Sequence, residues 1–241
     1  MIGAVDLKFN LTSDEHITHF GSCGRATAVF PVESVALLAL APQLPHYNPH
    51  NPTGKLVAKL YWPEEGRESE IDILQKVYEI AKKDEEGKVK HHFPELVWSR
   101  MFEDTSAANI RRALDAEKGR RVFCIIVFRE LLPITKLSGD EFLSAWWQIV
   151  VCHCALWENG VHHHDISPSN LMVCKTSDGR WIGVLNDFDL SSTRDTPSGQ
   201  ECTGTDPLTW VCICYELENG MYIGKGTDLH DWLRVDAPQG K

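Results

Sequence analysis

Two acidic residues and one amide in this chain have types and a spacing that suit phosphoryl transfer. Asp165 precedes Asn170 by five positions, and Asp187 follows Asn170 by 17 positions, directly before Phe188. That reaction needs one carboxylate to orient the attacking hydroxyl, and an amide with a second carboxylate to hold magnesium against nucleotide phosphates. A plain turn would explain Asp165 and the Ser-Pro that follows it, but it would not predict the Asp-Phe pair. The spacing therefore favours a magnesium-dependent site.

The elements that must position these residues follow from apolar periodicity and from turn residues. In chain order the sequence predicts two strands within 17–32 around a glycine turn, a proline-rich loop over 42–54, a strand over 56–61, a helix over 68–83, a buried strand over 122–128, a helix over 140–159, and a hairpin with strands 171–174 and 181–185. Asp165 would follow the long helix, Asn170 would precede the hairpin, and Asp187 would follow it. The three side chains are therefore expected near one another.

Lys59 lies in the predicted strand 56–61, whose other residues are mostly apolar. A lysine in such a strand is commonly exposed and solvated, and the functional alternative is a cation held against nucleotide phosphates. Glu70 falls on the apolar face of the predicted helix 68–83, four residues before Leu74. A carboxylate on that face needs a partner, because burial of an unpaired charge is costly. Lys59 and Glu70 are therefore predicted to form a pair.

Three other motifs have weaker functional interpretations. Gly21 and Gly24 could cover phosphates with backbone N–H groups, although two glycines can equally form any tight turn. The histidine run 162–164 could be interpreted as a metal site. Consecutive residues in an extended chain point to alternate sides and rarely bind one ion together, so we favour an ordinary loop. The Cys-His-Cys run 152–154 lacks a second ligand pair at zinc spacing and is interpreted as helix packing.

Composition narrows the class of protein further. The chain has 241 residues, 43% of them hydrophobic, which is enough for one domain or two lobes. No apolar run is long enough to predict a membrane span, and the formal net charge of -10 argues against nucleic acid or an anionic membrane as partner. The beginning of the chain does not resemble a secretory signal. Eight cysteines without a disulfide-like pattern predict a reducing, intracellular compartment, cytoplasmic or nuclear.

Several stretches resemble the fungal-type protein kinase domain, a divergent branch of the eukaryotic protein kinase fold. They are Gly24–Thr27, Lys59–Pro63, Arg67–Glu70, His164–Met172 and Gly183–Leu190. The likeness runs from about Ile17 to Asp206. It implies an α+β, two-lobed protein kinase-like fold, with a small β-rich N-lobe over residues 1–132 and an incomplete helical C-lobe over residues 133–241.

The resemblance also implies cofactors and roles. ATP and Mg²⁺ would be the cofactors, and the γ-phosphate would pass to a Ser or Thr hydroxyl of an unidentified protein substrate. Asp165 would orient that hydroxyl or accept its proton, while Asn170 and Asp187 would hold magnesium. The residues expected to bind the nucleotide are Gly21 and Gly24 in a phosphate lid, Lys59 paired with Glu70, and Glu130 and Leu131 in the hinge that reads the adenine edge.

Departures from the family pattern leave other functions open. Where protein kinases in general have Arg in the loop motif, Lys two residues after the catalytic Asp and Gly at the end of D-F-G, this chain has His164, Ser167 and Asp189. Ser167 and Asp189 resemble the forms usual in the fungal-type group, so by themselves they do not imply an inactive enzyme. After residue 207 the expected helix opening is missing, so we expect an internal deletion and a truncated large lobe. The alternatives are a catalytically impaired pseudokinase or nucleotide-binding fragment and, less favoured, a small-molecule kinase of the aminoglycoside or choline type.

Overall fold

The computed structural model describes residues 5–10, 17–19, 27–64, 66–103 and 121–193. The strands in these ranges are β1 (Lys8–Phe9), β2 (Ile17–His19), β3 (Thr27–Glu33), β4 (Leu56–Tyr61), β5 (Leu96–Phe102), β6 (Phe123–Arg129), β7 (Leu132–Pro133), β8 (Val161–His162), β9 (Leu171–Lys175), β10 (Trp181–Leu185) and β11 (Ser192–Thr193). The helices are α1 (Val35–Leu40), α2 (Glu70–Lys83) and α3 (Gly139–Glu158), with single 3₁₀ turns at Ala41–Gln43, Ile134–Lys136, Pro168–Asn170 and Phe188–Leu190.

The larger sheet is antiparallel and has the strand order β1-β3-β4-β6-β5, with β2 also paired to β3. Lys59 lies in its middle, opposite Val29 of β3 and Ile126 of β6. The strands predicted within 17–32, at 56–61 and at 122–128 are confirmed, the last one starting and ending one residue later. The glycine turn predicted between β2 and β3 lies outside the described residues.

Side chains of β4 alternate between the two faces of this sheet. Leu56 and Ala58 join a buried cluster that includes Leu37 of α1. Tyr61 joins a larger cluster on the opposite face, together with apolar residues of α2. Because both faces are covered, β4 is apolar almost throughout, and Lys59, two residues before Tyr61, faces α2. The sequence did not predict α1, since six residues of Val, Ala and Leu show no helical periodicity.

Helix α2 begins at Glu70 because Ser69 caps it. The Ser69 side chain accepts a hydrogen bond from the backbone N–H of Asp72, and the Asp72 side chain accepts one from the backbone N–H of Ser69. This reciprocal arrangement is a capping box, which fixes where the first turn starts. The predicted start at Glu68 is therefore two residues too early, while the predicted burial of Glu70 and Leu74 on one face is confirmed.

Helix α3 contacts the hairpin of β9 and β10, as the position of a glycine shows. A Cβ on Gly183 of β10 would lie 2.1 Å from the carbonyl oxygen of Ala145, so only glycine allows this approach. The Gly183 N–H donates to Oε1 of Gln148 at 2.9 Å. The predicted long helix and the hairpin are both confirmed, and β7 extends the hairpin to three strands by pairing with β9.

One buried apolar cluster runs from the larger sheet through α2 to α3 and the hairpin. It contains residues of all four parts, among them Tyr61, Ile126, Leu74, Val77, Ile149, Leu156, Val173, Leu185 and Phe188. The described chain is thus of the α+β class, as predicted, while the two lobes and their boundary at residue 132 stay a prediction.

Four cysteines of the described ranges, Cys124, Cys152, Cys154 and Cys174, are free. Among the described helices, none has the length and apolar character needed to cross a membrane.

Candidate active site

The centre of the candidate site is a lysine held between two carboxylates. Lys59 Nζ lies 2.7 Å from Oε2 of Glu70 and 2.5 Å from Oδ1 of Asp187. The Lys59 and Glu70 side chains are buried, whereas that of Asp187 is 37% exposed. The chain brings these residues together from the middle of β4, the first turn of α2 and the segment that follows β10. The sequence predicted the contact between Lys59 and Glu70, but it did not predict the one between Lys59 and Asp187.

The charges of this cluster do not balance when both carboxylates are ionised, since two negative groups then face one ammonium group. Burial opposes the charge of Lys59, but Asp187 and Glu70 together outweigh it and raise the pKa of the lysine. Burial also raises the pKa of Glu70 to about 7, against the attraction of Lys59 and with added repulsion from Asp187 and Asp189. The excess negative charge therefore lies next to a partly exposed carboxylate, an arrangement that attracts a cation.

Replacing Glu70 by Gln is expected to remove a contribution that lowers stability as pH rises between pH 4.5 and about 7. The reference pKa of this carboxyl is 4.5 and its folded-state pKa is about 7, so within this window the folded chain keeps a proton that the unfolded chain has lost. The stabilising contribution is complete below the unfolded pKa, and it is lost as pH rises through the folded one. This carboxyl alone lowers the free energy of unfolding by at most about 1.4 kcal/mol per pH unit.

Urea denaturation across this pH window tests the expectation. The matched control is Glu79→Gln on the exposed side of α2, where hydrogen bonding to Lys82 lowers the pKa of the carboxyl, so its titration lies below the window. Histidines with lowered pKa values, such as His163, contribute the opposite slope in this window. The control should keep the slope of the wild type, and the slope of Glu70→Gln should be more positive by up to about 1.4 kcal/mol per pH unit. Equal slopes for Glu70→Gln and the wild type would contradict the assignment.

The loop around Asp165 is joined to the segment of Asp187 through His163. The backbone N–H of Asp165 donates to Nδ1 of His163 at 3.4 Å, so Nδ1 carries no proton and Nε2 donates to the carbonyl oxygen of Asn186 at 2.9 Å. Burial lowers the pKa of His163 to about 4, in agreement with a neutral ring. The ring also contacts the buried Phe188 edge-on, with centroids 4.7 Å apart.

Asn170 adds a second connection between the same two segments. Its side-chain Nδ2 donates to the backbone carbonyl oxygen of Asp165 at 3.0 Å. Its backbone carbonyl oxygen accepts a hydrogen bond from the backbone N–H of Asn186 at 2.9 Å. The structure therefore places Asp165 and Asn170 in one hydrogen-bonded unit with the residue before Asp187. Because the amide nitrogen of Asn170 is used inside this unit, its amide oxygen is the atom suited to a cation.

Two residues of the site have left-handed backbone geometry. His164, directly before Asp165, has φ 64°, and Asp187 has φ 62°. Asp and His tolerate this conformation better than bulky or β-branched residues do. Non-glycine residues in sparsely populated backbone regions cluster at functional sites, where the surrounding structure must hold them. His164 directly precedes Asp165, and Asp187 carries a carboxylate itself. The sequence analysis predicts both aspartates as site residues.

The remaining predicted nucleotide-binding residues are not part of the cluster around Lys59. The N–H of Glu130 donates to the carbonyl oxygen of Lys55 at 3.1 Å, and its carboxylate lies 3.5 Å from Lys55 Nζ. Leu131 is half-buried in the short connection between β6 and β7. The contacts of Glu130 thus join it to Lys55 rather than to the Lys59 cluster. Gly21 and Gly24 lie outside the described residues.

Sequence reasoning missed a buried ion pair beside the predicted hinge. Arg129 Nη1 lies 3.0 Å from Oε2 of Glu95, with side-chain exposures of 5% and 9%. The guanidinium also donates to the carbonyl oxygens of Asn48 and Thr53, at 3.2 and 2.7 Å, and to that of Asn51. These bonds hold the proline-rich loop against the end of β6. The only signal in the sequence is a charged residue at the end of an apolar run, which is also typical of a strand that simply ends there.

The three histidines of the run 162–164 have different partners. The His162 ring stacks on Trp157, with centroids 4.0 Å apart. His163 bonds to the segment before Asp187, as described above. His164 Nε2 lies 2.6 Å from Oγ of Ser192. Cys152, in the neighbouring Cys-His-Cys run, is buried in α3 with its thiol 3.7 Å from the carbonyl oxygen of His92.

Comparison with known proteins agrees with a kinase-like class. Residues 119–216 match the family model described as fungal protein kinase. The matched segment contains Asp165, Asn170 and Asp187, whereas Lys59 and Glu70 precede it. The match confirms the resemblance predicted from the sequence, and it supports a kinase-like function and a kinase-like enzyme in general. No curated protein matches the chain.

Proposed function

We propose that this chain transfers the γ-phosphate of ATP to a Ser or Thr hydroxyl of a protein, with magnesium. The observation that carries the proposal is the position of Lys59 Nζ, 2.7 Å from Glu70 and 2.5 Å from Asp187. A lysine steadied by a helical carboxylate, next to a carboxylate that can hold magnesium, is the arrangement that protein kinases need for phosphate positioning. The family match over residues 119–216 supports the same class.

The donor atoms present fit magnesium. It prefers oxygen ligands, and the amide oxygen of Asn170 and the partly exposed carboxylate of Asp187 are oxygen donors on two segments that hydrogen bonds hold together. These two residues would hold the ion. When bound with ATP, it would neutralise charge that develops on the phosphate oxygens.

The protein's own residues would then have distinct tasks. Lys59, kept charged by its two carboxylates, would hold the nucleotide phosphates. Asp165 would orient the acceptor hydroxyl and take its proton as transfer proceeds. The backbone contacts of Asp165 with His163 and Asn170 would keep its carboxylate in one position. In addition, Glu130 and Leu131 would present backbone groups to the adenine ring.

Asp187→Asn is expected to abolish the magnesium-dependent rise in melting temperature with ATP. Binding to the folded state alone stabilises it by RT ln(1 + [L]/Kd), about 2.7 kcal/mol at a hundredfold excess over Kd. The measurement is a thermal melt with ATP in the presence of magnesium or of a chelator. As a control, Asp140→Asn at the exposed start of α3 should keep the shift. An undiminished shift in Asp187→Asn would reject the magnesium role of that residue.

A second candidate function is nucleotide binding without catalysis. The observation that favours it is Ser167, which stands where serine/threonine kinases have a lysine near the transferred phosphate. In the structure Ser167 Oγ lies 2.9 Å from Oγ of Ser169, so this loop position provides a hydroxyl where a cation would be expected. A thermal shift with MgATP, without transfer to any acceptor, would favour this alternative.

A further inference from the structure

Three consecutive hydroxyl residues follow the candidate magnesium residue, and all three are buried. Ser191, Ser192 and Thr193 are 3%, 7% and 4% exposed. Ser191 Oγ donates to the carbonyl oxygen of His163 at 3.2 Å, and Ser192 Oγ lies 2.6 Å from Nε2 of His164. The backbone of the same segment pairs with β8 as strand β11. Two of the three hydroxyls thus hold the residues directly before Asp165.

The third hydroxyl contacts the other side of the site. Thr193 Oγ1 lies 2.9 Å from Oε2 of Glu68 and 3.0 Å from Nζ of Lys76. Lys76 Nζ is also 2.9 Å from Oε1 of Glu68, which closes a ring of three groups. A hydroxyl has one proton and two lone pairs, so it can donate to the carboxylate while it accepts from the ammonium group. Lys76 lies in α2, and Glu68 lies two residues before Glu70.

We propose that these three residues, the hydroxyl bridge Ser191–Thr193, are positioning residues. They hold the Asp165 loop and helix α2 in fixed positions relative to each other. Through Glu68 and Lys76 the bridge fixes the turn of α2 that carries Glu70, and so the contact of Glu70 with Lys59. Through His163 and His164 it fixes the loop that carries Asp165. The idea that this positioning serves catalysis rests on the proposed function, whereas the mechanical connection does not.

The contacts require hydroxyl groups rather than only side chains of the right size. Valine has nearly the volume of threonine, but it can neither donate to Glu68 nor accept from Lys76. Serine keeps the hydroxyl and loses a methyl group. Thr193→Val and Thr193→Ser therefore separate hydrogen bonding from packing at this position, and Ser192→Ala tests the connection to His164 in the same way.

Hydrogen exchange of backbone amides tests the bridge without any nucleotide. In Thr193→Val we expect the amides of residues 73–83 in α2 to exchange at least about tenfold faster, because a hydrogen bond to a charged group is lost. Thr193→Ser should retain most of the protection. In Ser192→Ala the amide of Asn170 should lose protection, while the amides of β6 serve as an internal control in every variant.

Each outcome supports or overturns the bridge. Unchanged exchange in α2 for Thr193→Val would overturn it, and so would equal acceleration in α2 and β6, which would indicate global destabilisation only. If MgATP binds as proposed, Thr193→Val should also raise the KM for MgATP several-fold, with rescue by Thr193→Ser. Failure of MgATP to shift the melting temperature of the wild type would reject the proposed function and leave the exchange result intact.

Discussion

Replacing Asp165 by Asn is expected to lower the rate of phosphate transfer by a factor of about 10²–10⁴, the usual contribution of a positioned acid or base. The amide keeps the size of the side chain but cannot take a proton from the acceptor hydroxyl. The two hydrogen bonds that anchor Asp165 to His163 and Asn170 use its backbone N–H and carbonyl oxygen. The loop should therefore keep its shape in the variant, and the loss should be chemical.

Transfer of radiolabelled γ-phosphate to a generic protein acceptor measures this effect. Asp165→Asn should retain the melting-temperature shift with MgATP, because Asn170 and Asp187 are unchanged. Asp140→Asn, on the exposed first turn of α3, is the control for removal of one negative charge and should label the acceptor like the wild type. If Asp165→Asn and the wild type label the acceptor equally, Asp165 is not the base.

Arg129→Met is expected to lower the free energy of unfolding strongly, and this is the second large effect that we predict. This substitution keeps an apolar stem in the buried position but leaves the Glu95 carboxylate without its cation, and it removes the guanidinium that donates to the carbonyl oxygens of Asn48 and Thr53. Removing one partner of a buried ion pair typically costs about 3–5 kcal/mol. Because domains are stable by only about 5–15 kcal/mol, the variant should unfold at a much lower urea concentration.

An exposed ion pair in the same chain provides the matched comparison. Arg180 Nε lies 2.8 Å from Oδ2 of Asp178, with side-chain exposures of 79% and 54%. Surface pairs of this kind contribute little because water screens the two charges, so Arg180→Met should change the free energy of unfolding little. If urea denaturation gives similar losses for the two Arg→Met variants, the buried pair does not hold the proline-rich loop as inferred.

The local elements could be predicted from the sequence because their signals are local. The phase of α2 follows from the spacing of its apolar residues, and this phase placed Glu70 on the core-facing side. The strand around Lys59 follows from an apolar run with a single charge. Together they predicted a pair that the structure places at 2.7 Å. The order of Asp165, Asn170 and Asp187 around a hairpin likewise follows from turn residues and two short strands.

Other features depend on contacts between residues far apart in the chain, and they could not be predicted from local patterns. Lys59 and Asp187 are 128 positions apart, and the sequence assigned Asp187 only to magnesium. Arg129 ends a strand, but its burial depends on a loop whose carbonyl oxygens surround it. Helix α1 was missed because its residues are uniformly apolar, and the sheet face that it covers is formed only when β3, β4 and β6 pair.

The sequence by itself determined which residues are the candidates for the proposed chemistry, because side-chain type and spacing along the chain set the order of carboxylates, amide and lysine. Only the tertiary structure decided that one lysine serves two carboxylates and that three hydroxyls connect the Asp165 loop to α2. Hydrogen bonds and ion pairs require atoms within about 3–4 Å, and no periodicity in a sequence specifies such distances between separate elements. Packing of α2 and the hairpin against the sheet brings those atoms together.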